Sequence, residues 1–139
     1  MTSNEDQTFS VILNSLRIDN GVGSVSYDSR LDAAAQGHAE DMASNGYFSH
    51  DADGDDDDGV DTNLVGDRVT AQGYDWINVG ENIGGGGEYG TEQQMLNGWE
   101  GSTTGHFEVM TSPVFEEFGL GVAGSGNDIR WVLVLATED

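Results

Sequence analysis

Apolar positions recur at helical spacing near the start of the chain, where Phe9, Ile12, Leu13 and Leu16 fall on one side of the segment from Asn4 to Asn20. Ser3 or Asn4 caps its start and Asn20-Gly21 ends it, so a first helix is predicted there. A second is capped by Asp28 and carries Leu31, Ala35, His38 and Met42 on one face. It stops at Asn45-Gly46, where glycine accepts the left-handed backbone that closes a helix. Tyr47-Phe48-Ser49-His50 then leads into Asp51 to Gly59, which is too charged and glycine-broken for anything but a solvated loop. A short helix is predicted after it, capped by Thr62, stopped at Gly73 and turning Leu64, Val65 and Val69 inward.

From Trp76 the periodicity changes. Trp76 to Ile83 mixes aromatic and β-branched residues and reads as a strand, closed by the glycine run Gly84 to Gly87. Thr91-Glu92-Gln93-Gln94 matches the reciprocal N-terminal cap and opens a helix that buries Met95, Leu96 and Trp99. Ser112-Pro113 starts a turn, and Phe118 to Ala123 with Arg130 to Thr137 form an antiparallel hairpin. Trp131-Val132-Leu133-Val134-Leu135 is unbrokenly apolar, as a strand covered on both faces would be. This order predicts an α+β fold in which helices flank a small, mainly antiparallel sheet, with residues 1–139 forming a single domain.

Charge changes the picture more than hydropathy does. The chain carries 26 Asp and Glu against four Arg (Arg17, Arg30, Arg68, Arg130) and no Lys, for a net charge of -22. Nucleic acid and anionic lipid surfaces are polyanions held mainly by Lys and Arg, so neither is an expected partner. Such acidity suits either a salt-rich environment, where screening weakens self-repulsion, or a surface that recruits divalent cations. With no Cys there is no disulfide and no thiolate ligand. No apolar run reaches the length of a membrane span, and Met1 to Asp6 lacks the basic and apolar regions of a signal peptide, so export implies a leader already removed.

Four polar residues beside small ones stand out as candidate chemistry: His50, Glu81, Ser102 and His106. Two imidazoles with Glu81 or water are a donor set for zinc. Ser102 and His106 are four apart and would share a helix face, which with a nearby carboxylate raises nucleophilic catalysis. Glu100-Gly101-Ser102 to Gly105 is not, however, the G-x-S-x-G elbow. His38, on the apolar face of the second helix, reads as a hydrogen-bonded core residue. Asp51, Asp53 and Asp55 have the spacing of the first ligands of a calcium loop, but Asp56 replaces its glycine and Thr62 its closing Glu, which favours a solvated charge run. The glycine run lacks the Lys of a phosphate-binding loop and reads as a flexible border to a pocket.

Taken in order, these segments resemble the CAP superfamily of cysteine-rich secretory, antigen-five and pathogenesis-related proteins, in its prokaryotic branch. The resemblance is carried by Leu13-Asn14-Ser15-Leu16-Arg17, His38-Ala39-Glu40-Asp41-Met42, Tyr47-Phe48-Ser49-His50, Gly80-Glu81-Asn82-Ile83, Trp99 to His106, and Ser112-Pro113 with Phe115 to Gly121. It implies a three-layer α-β-α sandwich in a secreted, cell-surface or periplasmic protein. It also implies a central cleft in which His50 and His106 are the two histidines and Glu81 the first of two glutamates. Ser102 stands where the second glutamate would fall, which weakens divalent binding, and Glu108 follows Phe107 where relatives commonly carry an Arg.

A shared fold hosts many roles, so the resemblance alone does not assign one. The leading expectation is a non-enzymatic binding module, monomeric or weakly oligomeric, whose cleft, lined by His50, Glu81, Ser102 and His106, takes a small ligand, a lipid or a partner's segment, with zinc or calcium loosely held. The alternatives are a hydrolase, using His50 or His106 as base with Ser102 or a metal-bound water as nucleophile, and a polar network that only holds the sheet to the helices.

Overall fold

Strand β4 (Arg130–Glu138) runs through the middle of the molecule, and its alternation explains the layering. Trp131, Leu133 and Leu135 enter one core while Val132, Val134 and Ala136 enter the other, as a strand of period two must when both its faces are covered. A computed structural model describes residues 4–52 and 64–139. Within them, β4 pairs antiparallel with β3 (Glu117–Ala123) on one side and β2 (Trp76–Gly85) on the other. A two-residue β1 (Ser26–Tyr27) adds parallel to β3, giving the order β1-β3-β4-β2 with β2 on an edge.

On one face lie α1 (Asn4–Asp19), α4 (Glu92–Glu100) and α5 (His106–Thr111). Phe9, Leu13 and Leu16 of α1 and Met95, Leu96 and Trp99 of α4 pack there against Phe118, Leu120 and Trp131. On the other face α2 (Ser29–Asn45) and α3 (Val65–Ala71) contribute Leu31, Ala35, Ala39, Met42 and Val69. The architecture is therefore the α+β, three-layer α-β-α sandwich. Among the described residues no helix is long and apolar enough to cross a membrane.

Local chemistry sets the boundaries. Asp28 accepts from the backbone N–H groups of Arg30 and Leu31 at the start of α2, and Gly46 ends it in the left-handed conformation at φ 69°. Thr91 and Gln94 form the reciprocal cap of α4. Two glycines of β3 set how closely α2 approaches the sheet. A Cβ on Gly119 would lie 2.2 Å from Asp32 N, and one on Gly121 would lie 2.5 Å from Gln36 N. Alanines 34, 35 and 39 of α2 keep the other side of that contact equally thin.

Arg17 is 1% exposed and ties the α1 layer to the loop before β3. Its guanidinium donates to the carbonyls of Gly23 (2.7 Å), Met110 (2.8 Å), Ser112 (3.0 Å) and Phe115 (3.3 Å). Burial pulls its pKa down, yet an arginine stays protonated.

Three expectations change. The helix that buries Trp99 stops at Glu100 and does not carry Ser102 and His106 on one face. Gly105, at φ 101°, breaks the chain so that His106 starts a separate α5. The expected cap of α3, Thr62, lies outside the described residues, and Leu64 holds the cap position without a side-chain bond. Neither α5 nor β1 was signalled, since six and two residues are too few for a period to show.

Candidate functional site

Strand β2 carries the sequence Gly80-Glu81-Asn82-Ile83-Gly84, and its alternation sends the polar residues to opposite faces. Val79 and Ile83 pack in the α2/α3 core, and Glu81 shares their side. Gly80, Asn82 and Gly84 turn the other way: a Cβ on Gly80 would lie 2.9 Å from Phe115 and one on Gly84 2.3 Å from the Met95 sulfur, while Asn82 donates to the His106 carbonyl at 3.0 Å. The glycines thus let the α4 and α5 layer close on the strand, and Asn82 pins the start of α5.

Glu81 is held by an imidazole and a guanidinium. Its Oε1 accepts from His50 Nδ1 at 2.8 Å, and its Oε2 from Arg68 Nη1 at 2.6 Å. Arg68 Nη2 reaches Glu81 Oε1 at 3.3 Å and the His50 carbonyl at 2.7 Å. The side chains of Glu81 and Arg68 are 2% and 8% exposed, whereas His50 is 47% exposed. Burial alone would raise the Glu81 pKa, but the hydrogen bonds from His50 and Arg68 and the Arg68 charge outweigh it and hold the carboxyl below its usual range.

His38 supports this cluster from α2. It is 2% exposed, and its Nε2 lies 2.8 Å from the Ser49 carbonyl, which requires the proton on Nε2. Nδ1 is buried without a partner among the described residues, and burial, with the Arg68 charge, lowers the pKa of the ring, so it stays neutral. The sequence reading of His38 as a hydrogen-bonded core residue agrees with this geometry.

Ser102 and His106 form a second pair. His106 Nδ1 is 2.9 Å from Ser102 Oγ, which also accepts from the Thr104 backbone N–H at 3.2 Å. The contact arises through the turn between α4 and α5, closed by the left-handed Gly105, rather than along a helix. Burial lowers the His106 pKa, and the nearby His50 charge adds to the effect. A depression of about 320 Å³ opens beside this pair, walled by Phe48, Ile83, Tyr89, Met95 and Trp99.

The sequence candidates are therefore brought together as two pairs, His50 with Glu81 and Ser102 with His106. Neither pair assembles a Ser–His–carboxylate relay, because the Glu81 carboxyl is bonded to His50 and Arg68 while His106 Nδ1 meets Ser102. Among the described residues no group of three His, Asp or Glu is placed to hold an ion. Both Glu81 oxygens are engaged by His50 and Arg68, and each histidine offers Nε2 as its one open donor. Of the calcium candidates, Asp51 is buried, and Asp53 and Asp55 lie outside the described residues.

Arg68 is the functional residue the sequence reading missed. Its signal was a rare cation set between Val65 and Val69, at the i, i+3, i+4 spacing of an inward helix face.

The model of the cysteine-rich secretory protein family, CAP, matches residues 12–135. An extracellular protein containing a SCP domain from Bacillus anthracis is 26% identical, with a TM-score of 0.75, over 95% of this chain and 40% of its own. An outer surface protein of Borrelia burgdorferi has a TM-score of 0.79 at 16% identity, covering 100% of this chain and 96% of its own. A cysteine-rich secretory protein from Staphylococcus aureus has a TM-score of 0.72 at 14% identity, over 98% of this chain and 40% of its own. The chain thus spans well under half of the Bacillus and Staphylococcus proteins. No curated protein sequence matches.

Proposed function

The chain belongs to the CAP family, and from that premise we propose that it is an extracytoplasmic binding module with one working side and one structural side to its site. The working side is the depression beside Ser102 and His106. Its apolar walls, Tyr89, Met95 and Trp99 among them, and the two convergent polar side chains have the make-up of a small-ligand pocket. This is the observation that carries the proposal. The structural side is the His38, Glu81 and Arg68 cluster, whose hydrogen bonds hold the Tyr47 to His50 segment against the sheet. Placement outside the cytoplasm rests on the likeness to extracellular and surface proteins.

The test is a two-dimensional NMR titration with small aromatic fragments. Fragments are expected to shift the resonances of Trp99, Ser102 and His106, and His106→Ala is expected to weaken them at least fivefold while the spectrum stays dispersed. If no fragment moves these resonances at millimolar concentration, the binding reading fails.

The hydrolase reading rests on the 2.9 Å Ser102–His106 contact alone. Ser102 Oγ is already engaged by Thr104, so its role is to shape the turn. Ester turnover abolished by Ser102→Ala in a folded protein would reverse that assignment.

A further inference from the structure

The four arginines are used in different ways. Arg30 pairs with Asp28 and Glu138, Arg68 with Glu81, and Arg17 is buried among backbone carbonyls. Among the described residues Arg130 meets no carboxylate, in a chain of net charge -22. Its Nε donates to the Tyr47 carbonyl (3.2 Å) and its Nη1 to those of Asn127 (3.3 Å) and Ile129 (2.9 Å). A guanidinium has five N–H donors, so both on Nη2 remain unused by the described residues.

The position of that group matters. Arg130 lines a groove of about 250 Å³ with Phe48, Gly85, Gly86 and Asn127, and its guanidinium lies 5.6 Å from the Phe48 ring centroid. Phe48 and Gly85 also line the depression at His106, so the two hollows share a wall. Gly85 keeps the passage low, since a Cβ there would sit 3.1 Å from Arg130 Nη1.

We propose that Arg130 is the anchor for the carboxylate of a small amphipathic ligand whose apolar or aromatic body lies over Phe48 and Gly85 and enters the hollow beside His106. The inference rests on the binding reading above and names the ligand class for that site. Charge selects the head group: the acidic surface repels every anion, a monoanion least, and Arg130 supplies a local donor of opposite sign. The aromatic and aliphatic walls select the body.

The probes are 3-phenylpropionate and its neutral amide, titrated by NMR at one fixed ionic strength. The acid is expected to bind the wild-type protein at least fivefold more tightly than the amide, with shifts at Gly85, Asn127 and His106. Arg130→Gln is expected to erase that preference, so that acid and amide bind alike, and Arg130→Lys to restore part of it. The wild-type comparison needs no variant, so a loosened loop in Arg130→Gln does not blunt the test. Equal affinity of acid and amide overturns the anchor and leaves the pocket standing, as does an acid affinity untouched by Arg130→Gln. Binding of neither probe overturns the proposal for this ligand class; the fragment titration separately decides whether the pocket binds at all.

Discussion

Arg68 Nη1 sits 2.6 Å from Glu81 Oε2, joining α3 to the edge strand β2 through an ion pair almost closed to solvent. A single buried carboxylate would be strongly disfavoured, and one that is paired and hydrogen-bonded is not. The pairing explains how Glu81 stays ionised while buried beneath His50.

Arg68→Met removes that partner. It is expected to lower stability by about 3–5 kcal/mol, because it strands a buried charge, and to leave a carboxylate available beside His50. Thermal melts with and without zinc then separate two cases: a zinc-dependent rise in Tm in the variant and none in the wild type. Calorimetric heat of zinc binding in the wild type that disappears in Glu81→Gln would show that Glu81 is free after all.

The Glu81 carboxyl titrates below its ordinary value in the folded protein, so the folded state holds fewer protons than the unfolded one as pH falls past about 4.5. The stability it contributes is complete above the unfolded pKa and is lost as pH falls through the folded one. The stability difference between wild type and Glu81→Gln is therefore expected to be constant at neutral pH and to shrink in acid. Urea melts of both proteins from pH 7 to pH 3 check this while cancelling the general relief of charge repulsion. A difference that grows in acid contradicts the assignment.

Gly119→Ala and Gly121→Ala each drive a methyl group into the backbone of α2, at 2.2 Å and 2.5 Å. Backbone yields less readily than a side chain, so the upper part of the overpacking range, about 3 kcal/mol, is expected. Gly23→Ala, with nothing within 4 Å, is the control and should move Tm little.

Arg17→Met leaves the carbonyls of Gly23, Met110, Ser112 and Phe115 without their shared donor. A loss of about 3 kcal/mol or more is expected in denaturant melts. Arg17→Lys should recover only part, since an ammonium is a compact point donor and cannot match the fork of a guanidinium.

Local order was legible in the residues themselves. Asp28 and Gly46 bounded α2, Thr91 and Gln94 opened α4, and the apolar run at Trp131 announced a strand covered twice, because caps and periods act between neighbours in the chain. The sequence motifs also placed the family, and with it the histidines at positions 50 and 106. Only the tertiary structure decided the chemistry of the site. Alternation separates Glu81 from Asn82, but whether Arg68 or a metal meets Glu81 depends on α3 docking on the sheet, a contact no local period encodes. The four-residue spacing of Ser102 and His106 suggested a helix face, and the left-handed Gly105 made it a turn instead. Arg130 carried no local mark either: its place in the groove emerges only when the end of β2, Phe48 and the start of β4 are folded side by side.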